Sequence, residues 1–252
     1  MEVTGLLLAY DVLWPMPITT SHRELLERQV RNLFVIDDRG YLLRVNEPGD
    51  REPPLLYMGR AVDGCVAFVS ERLPAALGDR LLAAAADEPP TDDFTRPAHA
   101  LRVAAAIALE MRLAVTMRRG PAYIAMGDPP ASQIDAEIEP AAGQQLHPWI
   151  AERWHEAALP PLELAYGVVV GGEVVALCHC ARLGPGAAEA GVETAEEFRQ
   201  RGFAAAATAA WIRAVHASGR YAFYSTDWEN VASQRVAAKL GLTLLGELSS
   251  VG

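Results

Sequence analysis

Two pairs of short apolar runs, each pair joined by a turn that contains glycine, occupy the first third of the chain. They cover residues 32–46 and 55–69. Because glycine readily adopts the positive φ of a tight turn, both pairs predict β-hairpins. Apolar residues at helical spacing then predict helices over residues 73–86 and 98–117, the second preceded by Pro97. The first half of the chain is therefore predicted to mix helices and strands.

The second half of the chain alternates strand-like and helix-like segments. Two β-rich runs around Gly171-Gly172 predict a third hairpin. The predicted elements are strands at 134–138, 162–170, 173–182, 188–194, 221–226 and 243–251, with helices at 141–158, 203–217 and 231–240. This order predicts an α+β fold, with a mixed, mostly antiparallel central sheet flanked by helices.

A shift in composition separates the two halves. Residues 127–145 are rich in proline, glycine and alanine, which is typical of turns and linkers. We therefore place a boundary near residue 130. It predicts an N-terminal α+β domain of unknown role at residues 1–130 and a second domain at residues 131–252.

Composition and charge narrow the classes of protein that fit this pattern. The 252 residues are 51% hydrophobic, which is enough to bury a sizeable core. The formal charge of −10 disfavours contact with a phosphate backbone, so we expect no nucleic-acid partner. An odd number of cysteines, no signal-like opening and no apolar run of bilayer length predict a cytoplasmic protein with free thiols and no membrane association.

A glycine stands where a predicted strand gives way to an alanine-rich predicted helix. The strand ends at Thr194, and the helix begins near Gly202, after Arg199, Gln200 and Arg201. The first N–H groups of a helix have no partners within the helix, and with the helix dipole they attract anions. Glycine lets backbone come close to a phosphate, and the arginines add local positive charge. The turn is therefore predicted to cradle a pyrophosphate.

This turn and a second segment resemble the signature segments of the GNAT superfamily, the acyl-CoA-dependent N-acetyltransferases. The sequence Arg-Gln-Arg-Gly-Phe-Ala at residues 199–204 fits the pattern Arg/Gln-x-x-Gly-x-Gly/Ala. Residues 230–242 resemble the family helix that begins with Asn-x-x-Ser and ends with Lys-Leu-Gly-Phe. Because order, spacing and the intervening strand agree, the resemblance extends over about residues 130–252.

The resemblance implies acetyl-CoA as co-substrate and assigns the residues that would hold it. The backbone of residues 191–194 would pair with the pantetheine arm, and the amides of residues 200–204 would hold the pyrophosphate. Two side chains of the next helix would face the cofactor. The implied cofactor-binding residues are Val192, Thr194, Arg199, Gln200, Arg201, Gly202, Phe203, Ala204, Asn230 and Ser233. An ordinary strand–turn–helix connection with solvated arginines is the competing interpretation.

Two glutamates on the strand before the turn are the candidate catalytic residues. Members of the superfamily usually transfer acetyl by direct attack of a deprotonated amine, and a carboxylate of raised pKa can act as the base. Glu193 is the first candidate because it lies beside the expected acetyl group, and Glu189 is the second. Strand alternation places both on one face, so both could line the same cleft. For each, a structural role stays open.

One position departs from the family pattern. Many members carry a tyrosine seven residues after the helix asparagine, where it protonates the leaving sulfur, and this chain has Ala237 there. Tyr224, Ser225 or a water could replace it, or thiolate release could need no acid. The sequence does not choose among these alternatives.

Other chemistry-bearing residues have simpler interpretations. A strand would point His179 away from its neighbours Cys178 and Cys180, and no second ligand pair is suitably spaced, so we predict packed thiols and no metal site. Three large side chains of the predicted helix at residues 141–158 either belong to the core or line an acceptor pocket: Trp149, Trp154 and His155.

Two functions of different classes fit these observations. The first is an N-acetyltransferase that moves acetyl from acetyl-CoA to a primary amine, and the acidic chain would suit a cationic small molecule or a lysine. The second is an acyl-CoA-binding sensor or inactive module whose N-terminal half binds a protein or forms a homodimer, as the missing tyrosine suggests. Turnover with a panel of amines separates them.

Overall fold

The computed structural model describes residues 20–47, 49, 51–131, 134–156 and 164–252, except for the side chains of residues 154–156. The helices are α1 (His22–Leu33), α2 (Ala75–Ala86), α3 (His99–Glu110), α4 (Pro148–Glu156), α5 (Phe203–Ala217) and α6 (Val231–Lys239). The strands are β1 (Phe34–Ile36), β2 (Tyr41–Val45), β3 (Leu56–Ala61), β4 (Gly64–Ser70), β5 (Met117–Ile124), β6 (Glu137–Pro140), β7 (Gln145–Leu146), β8 (Tyr166–Val170), β9 (Glu173–Leu183), β10 (Ala187–Thr194), β11 (Tyr221–Ser225) and β12 (Thr243–Val251).

The strands of the described part of the chain form one sheet. Their order is β1-β2-β4-β3-β12-β5-β11-β10-β9-β8-β6, and β7 pairs with β9 off this path. Three pairs are parallel, namely β2–β4, β10–β11 and β7–β9, and the others are antiparallel. The predicted α+β fold with a mixed, mostly antiparallel sheet is confirmed. The predicted domain boundary near residue 130 falls between β5 and β6 and stays a prediction.

Helices cover both faces of this sheet. α1 packs on one face, where Leu26 and Val30 share a core with Phe223 of β11. α4 covers the same face further along, where Ile150 and Leu177 share a smaller core. On the opposite face α5 packs over β8, β9 and β10, while α2 and α3 cover β3, β4 and β12. The centre of the sheet, around β10 and β11, therefore lies between α1 and α5.

α5 is the buried helix that packs over β8, β9 and β10. Its alanines favour helix strongly and leave room for close contact with the sheet. Trp211 is 1% exposed, and its indole Nε1 donates to Cys180 Sγ at 3.3 Å. α5 is therefore fixed to β9, which holds its first turn in place beside β10. None of the helices within the described residues is long and apolar enough to span a membrane.

The predicted helix at residues 98–117 is wrong in its second part. α3 ends at Glu110, and the chain enters β5 at Met117. Pro121 makes this strand hard to predict from the sequence, because proline cannot donate to a β-ladder and argues against a central strand. The structure accommodates it because the β5–β11 ladder runs only from Ala122 to Ile124.

The predicted helix at residues 141–158 begins later than expected. The chain first forms β7, and α4 starts at Pro148, a residue favoured at the first position of a helix. The short strand predicted at residues 134–138 is shifted to Glu137–Pro140. The predicted helix end at residues 157–158 and strand start at residues 162–163 lie outside the described residues.

Candidate active site

The parallel strands β10 and β11 separate at the centre of the sheet. Ala187 to Glu189 pair with Tyr221 to Phe223, and β10 then continues to Thr194 paired with β9 alone within the described residues. Backbone groups of β10 beyond Glu189 therefore face an opening between the strands. This segment contains residues 191–194, whose backbone the resemblance implies would pair with a pantetheine arm.

Glu189 lies where the two strands separate. The residue is only 4% exposed, its Oε1 accepts a hydrogen bond from Ser225 Oγ at 2.5 Å, and its Oε2 accepts one from Gln29 Nε2 at 2.9 Å. Burial raises the pKa of Glu189 to about 7, and the hydrogen bonds from Ser225 and Gln29 offset only part of this. A carboxyl group with this pKa can take up and release a proton near neutral pH.

Glu193 lies four residues further along β10 in a more open environment. Its side chain is 31% exposed, and its Oε2 lies 3.5 Å from Arg153 Nε on α4. Burial raises the pKa of Glu193, while the charges of Arg153 and Arg199 lower it. Glu189 contacts α1 and Glu193 contacts α4, so both lie on the same face of the sheet, as alternation predicts. Burial raises the pKa of Glu189 more than that of Glu193, while the two hydrogen bonds to Glu189 fix the position of its carboxyl group.

Tyr224 and Ser225 end β11 and point to opposite faces of the sheet. Ser225 contacts Glu189, whereas the Tyr224 hydroxyl lies 2.6 Å from Ser233 Oγ on α6. Burial raises the pKa of Tyr224 to about 12, so the phenol keeps its proton at neutral pH. Ala237 follows Ser233 by one helical turn on the same side of α6. Tyr224 therefore reaches the helix face on which the family usually carries its tyrosine.

The predicted cradle is a turn at the start of α5. Gln200 and Gly202 have φ values of 63° and 83°, and Gly202 caps α5 without a side-chain hydrogen bond. A Cβ atom on Gly202 would lie 2.8 Å from Lys239 Nζ, the end of a flexible side chain that can move away, so it is the positive φ that favours glycine there. Lys239 adds its charge to those of Arg199 and Arg201. Uncapped N–H groups and three nearby cations fit a pyrophosphate.

Neighbouring contacts fix the shape of this turn. Arg199 Nε donates to the Thr194 carbonyl at 3.3 Å, and its guanidinium lies over the Trp149 ring at 5.3 Å. Arg201 Nη2 donates to the Glu197 carbonyl at 3.1 Å. Asn230 Oδ1 accepts from the backbone N–H of Ser233 at 3.1 Å, so Asn230 fixes the start of α6. The side chains of Trp154 and His155 lie outside the described residues.

The Cys178-His179-Cys180 segment places its thiols and its imidazole on opposite faces of the sheet. Cys178 and Cys180 are packed against α5, while His179 lies against Gly191, which has no room for a side chain there. Burial lowers the pKa of His179 to about 4. Within the described residues, no three His, Cys, Asp or Glu side chains are grouped so that they could hold a metal ion.

Two adjoining cavities open on the Glu189 side of the sheet. The smaller, of about 270 Å³, is lined by Ser225 and by Gly120 of β5. The larger, of about 630 Å³, extends towards the C-terminal end of α1. Both are lined by Tyr57, Arg118 and Ser250. We name the two cavities together the Tyr57 groove.

Sequence reasoning missed α1 and the residues it brings to the site. Ser21 Oγ accepts from the Glu24 N–H at 3.2 Å, and the Glu24 carboxylate accepts from the Ser21 N–H at 3.3 Å. This Ser-x-x-Glu capping box is a signal that the sequence does contain. The contact of Gln29 with Glu189 carries no such signal, because 160 residues separate the two.

The family comparison agrees with this geometry. Residues 163–250 match the family described as GNAT acetyltransferase. This range contains both signature segments, at residues 199–204 and 230–242, so the predicted resemblance is confirmed there. The family implies acyl transfer from acyl-CoA, with acetyl-CoA as its co-substrate. No curated protein matches the chain significantly.

Several solved structures resemble the chain at low sequence identity. A GCN5-related N-acetyltransferase from Sphaerobacter thermophilus is 15% identical, with a TM-score of 0.45, and covers 90% of this chain and 84% of its own. A GNAT-family acetyltransferase from Colwellia psychrerythraea is 16% identical, with a TM-score of 0.44. The match covers 86% of this chain and 78% of the Colwellia chain. A GNAT-family protein from Novosphingobium aromaticivorans is 21% identical, with a TM-score of 0.39. The match covers 54% of this chain and 64% of the Novosphingobium chain.

Proposed function

We propose that this chain, whose residues 163–250 match the GNAT acetyltransferase family, is an N-acetyltransferase that moves acetyl from acetyl-CoA directly to a primary amine. The observation that carries this proposal is the position of Glu189. It is a buried carboxyl group with a pKa of about 7, and it lies where β10 and β11 separate.

Two surfaces of the chain would bind the pyrophosphate and the pantetheine arm of the co-substrate. The turn at residues 200–204 would hold the pyrophosphate through backbone N–H groups, with Arg199, Arg201 and Lys239 nearby. The unpaired edge of β10 beyond Glu189 would pair with the amides of the pantetheine arm. Bound in this way, acetyl-CoA would supply an acetyl thioester at the opening between the strands.

Direct transfer forms a C–N bond, breaks the thioester C–S bond and requires two proton movements. The amine must lose a proton, and Glu189 is positioned to accept it, directly or through a water. Because its pKa is about 7, Glu189 is largely ionised only above neutral pH. Ser225 and Gln29 hold the carboxylate in place, so the proton acceptor is oriented before substrates bind.

The departing thiolate must gain a proton, and Tyr224 is the proposed donor. Its phenol is protonated at neutral pH and is held by Ser233 on the opposite face of the sheet from Glu189. The base and the acid would thus act from the two sides of the opening. This arrangement compensates for Ala237, which stands at the position of the usual tyrosine.

Release of CoA thiol tests the proposal. Purified protein is incubated with acetyl-CoA and a panel of primary amines, and thiol is measured colorimetrically against a sample without amine. Transfer predicts amine-dependent release and an N-acetylated product by mass spectrometry. Tight binding of acetyl-CoA without turnover on any amine would contradict the proposal and favour the acyl-CoA-binding sensor.

A further inference from the structure

We propose that the Tyr57 groove binds the acceptor through an anionic group, so that the acceptor is a small amine that also carries a carboxylate or a phosphate. This inference rests on the proposed transferase function and specifies its substrate class. It departs from the cationic acceptor that the net charge of −10 led us to expect. The local charge of the groove is the reason.

The larger cavity of the groove carries more positive than negative charge. Its charged lining consists of four arginines and one glutamate: Arg51, Arg72, Arg118, Arg182 and Glu52. Arg72 pairs with Glu52, while Arg51 and Arg182 both pair with Glu47. Two positive charges therefore remain in the larger cavity after these carboxylates are counted. The smaller cavity adds Arg119, which pairs with Glu247, and Asp227, so one positive charge remains for the whole groove. Such a cavity attracts anions whatever the sign of the whole chain.

Arg118 stands out among these arginines. Within the described residues no hydrogen bond or ion pair joins its guanidinium to another residue, and it lines both cavities. A guanidinium has a planar fork of donors that matches the two oxygens of a carboxylate or the oxygens of a phosphate. Arg118 is therefore suited to bind an anion that the protein itself does not supply here.

Two hydroxyl groups lie beside Arg118. Ser250 of β12 pairs with Arg118 of β5 on one side and with Tyr57 of β3 on the other, so the three form one row across the sheet. Side chains of directly paired residues lie about 5 Å apart on the same face. Burial, followed by the charge of Glu189, raises the pKa of Tyr57, so its hydroxyl remains a donor. One cation and two hydroxyls would thus meet the same anion.

The position of this row relative to Glu189 sets the shape of the acceptor. Ser225, which contacts Glu189, pairs with Ala122, and Arg118 precedes Ala122 by four residues on β5. At about 3.3 Å per residue, this separation is about 13 Å along the strand, and the Arg118 side chain spans part of it. The amine and the anion therefore belong on one small molecule, several bonds apart.

Matched amines test the inference. γ-Aminobutyrate is compared with butylamine, phosphoethanolamine with ethanolamine, and putrescine serves as the dicationic amine. We expect kcat/KM for at least one anionic member to exceed that of its neutral partner by about tenfold or more. The carboxylate and phosphate pairs then show which anion is used. Equal or better use of butylamine, ethanolamine and putrescine would overturn the inference while leaving the transferase function intact.

A variant of the groove adds a second test. Arg118→Ala is expected to lower kcat/KM for the preferred anionic amine by about tenfold and to change that of its neutral partner by less than about twofold. Arg80→Ala removes an exposed arginine on α2 outside the groove and should change neither value. An equal loss on both amines in Arg118→Ala would show that the residue does not recognise the anion.

A binding measurement keeps the two proposals separate. γ-Aminobutyrate and phosphoethanolamine are titrated calorimetrically into the wild-type and Arg118→Ala proteins saturated with CoA. If the affinity for one of these amines falls about tenfold in the variant, the anion site is supported. This holds even if no amine turns over, and only the transferase function would then be refuted. Absence of binding for both amines, with no kinetic preference for either, would overturn the anion site.

Discussion

Replacement of Glu189 by glutamine is expected to abolish proton uptake and to preserve the fold. Ser225 can still donate to the remaining oxygen of the side chain. Gln29 Oε1 is buried and has no hydrogen-bond partner within the described residues, so a rotated Gln29 amide can accept from the new NH₂ group. The variant therefore keeps its hydrogen bonds and loses only the titrating group.

The catalytic effect of Glu189→Gln follows from the role of a general base. We expect kcat to fall about 100-fold or more, and the affinity for acetyl-CoA to stay within about twofold, because Glu189 is not part of the turn at residues 200–204. Wild-type turnover should decline below about pH 7, where Glu189 becomes protonated. The residual turnover of the variant should lack an inflection near pH 7 and follow only the deprotonation of the amine itself. Initial rates of thiol release from pH 5.5 to 9 measure both effects.

The same substitution is expected to lower activity but to raise stability. The pKa of Glu189 rises from 4.5 to about 7 on folding, so between these values the folded state holds a proton that the unfolded state has lost. Wild-type stability therefore falls as pH increases through this range, by about 3 kcal/mol at ~1.4 kcal/mol per pKa unit. Glu189→Gln avoids this loss. Relative to wild type, its free energy of unfolding should rise by about that amount between pH 4.5 and 8 in urea titrations.

Glu193→Gln is the matched control on the same strand. Glu193 is partly exposed and paired with Arg153, so this variant should keep most of the turnover and the decline below pH 7. Wild-type turnover in Glu189→Gln, or loss of the decline below pH 7 in Glu193→Gln instead, would refute the role of Glu189 as the base. The second result would return Glu193 to the role of base.

Two further variants test other parts of the structure. Tyr224→Phe should lower kcat at least about tenfold with unchanged affinity for acetyl-CoA, and Ser233→Ala, which keeps the phenol, should lower it less, as steady-state kinetics and calorimetry would show. Glu247 is buried and bridges Arg60 and a second arginine at 2.8 and 2.7 Å, so Glu247→Ala should cost about 3–5 kcal/mol in urea unfolding. Glu27→Ala, which removes an exposed ion pair within α1, should lower the free energy of unfolding by less than about 1 kcal/mol.

The parts of the site that could be predicted from sequence are local in the chain. The turn that ends in Gly202 is defined by consecutive residues, because strand, glycine and alanine-rich helix follow one another directly. The hairpin turns at Gly40 and Gly64 are confirmed for the same reason. In each case the backbone conformation depends on a residue that tolerates positive φ.

The remaining parts depend on strand pairing across large distances in the chain. Tyr57, Arg118 and Ser250 form one row only because β12 lies between β3 and β5, and no short pattern encodes that order. The choice between Glu189 and Glu193 likewise depends on α1, which buries one and leaves the other open. Alternation along β10 gives their common face but not their surroundings.

Calorimetric titration with acetyl-CoA and with S-acetylpantetheine, which has the thioester but lacks the pyrophosphate and the adenosine 3′-phosphate, tests the central claim most directly. If the turn at residues 200–204 holds the pyrophosphate, acetyl-CoA should bind at least about tenfold more tightly than S-acetylpantetheine. Equal affinities, or no heat with acetyl-CoA, would contradict the assignment of this turn and with it the proposed acetyl transfer.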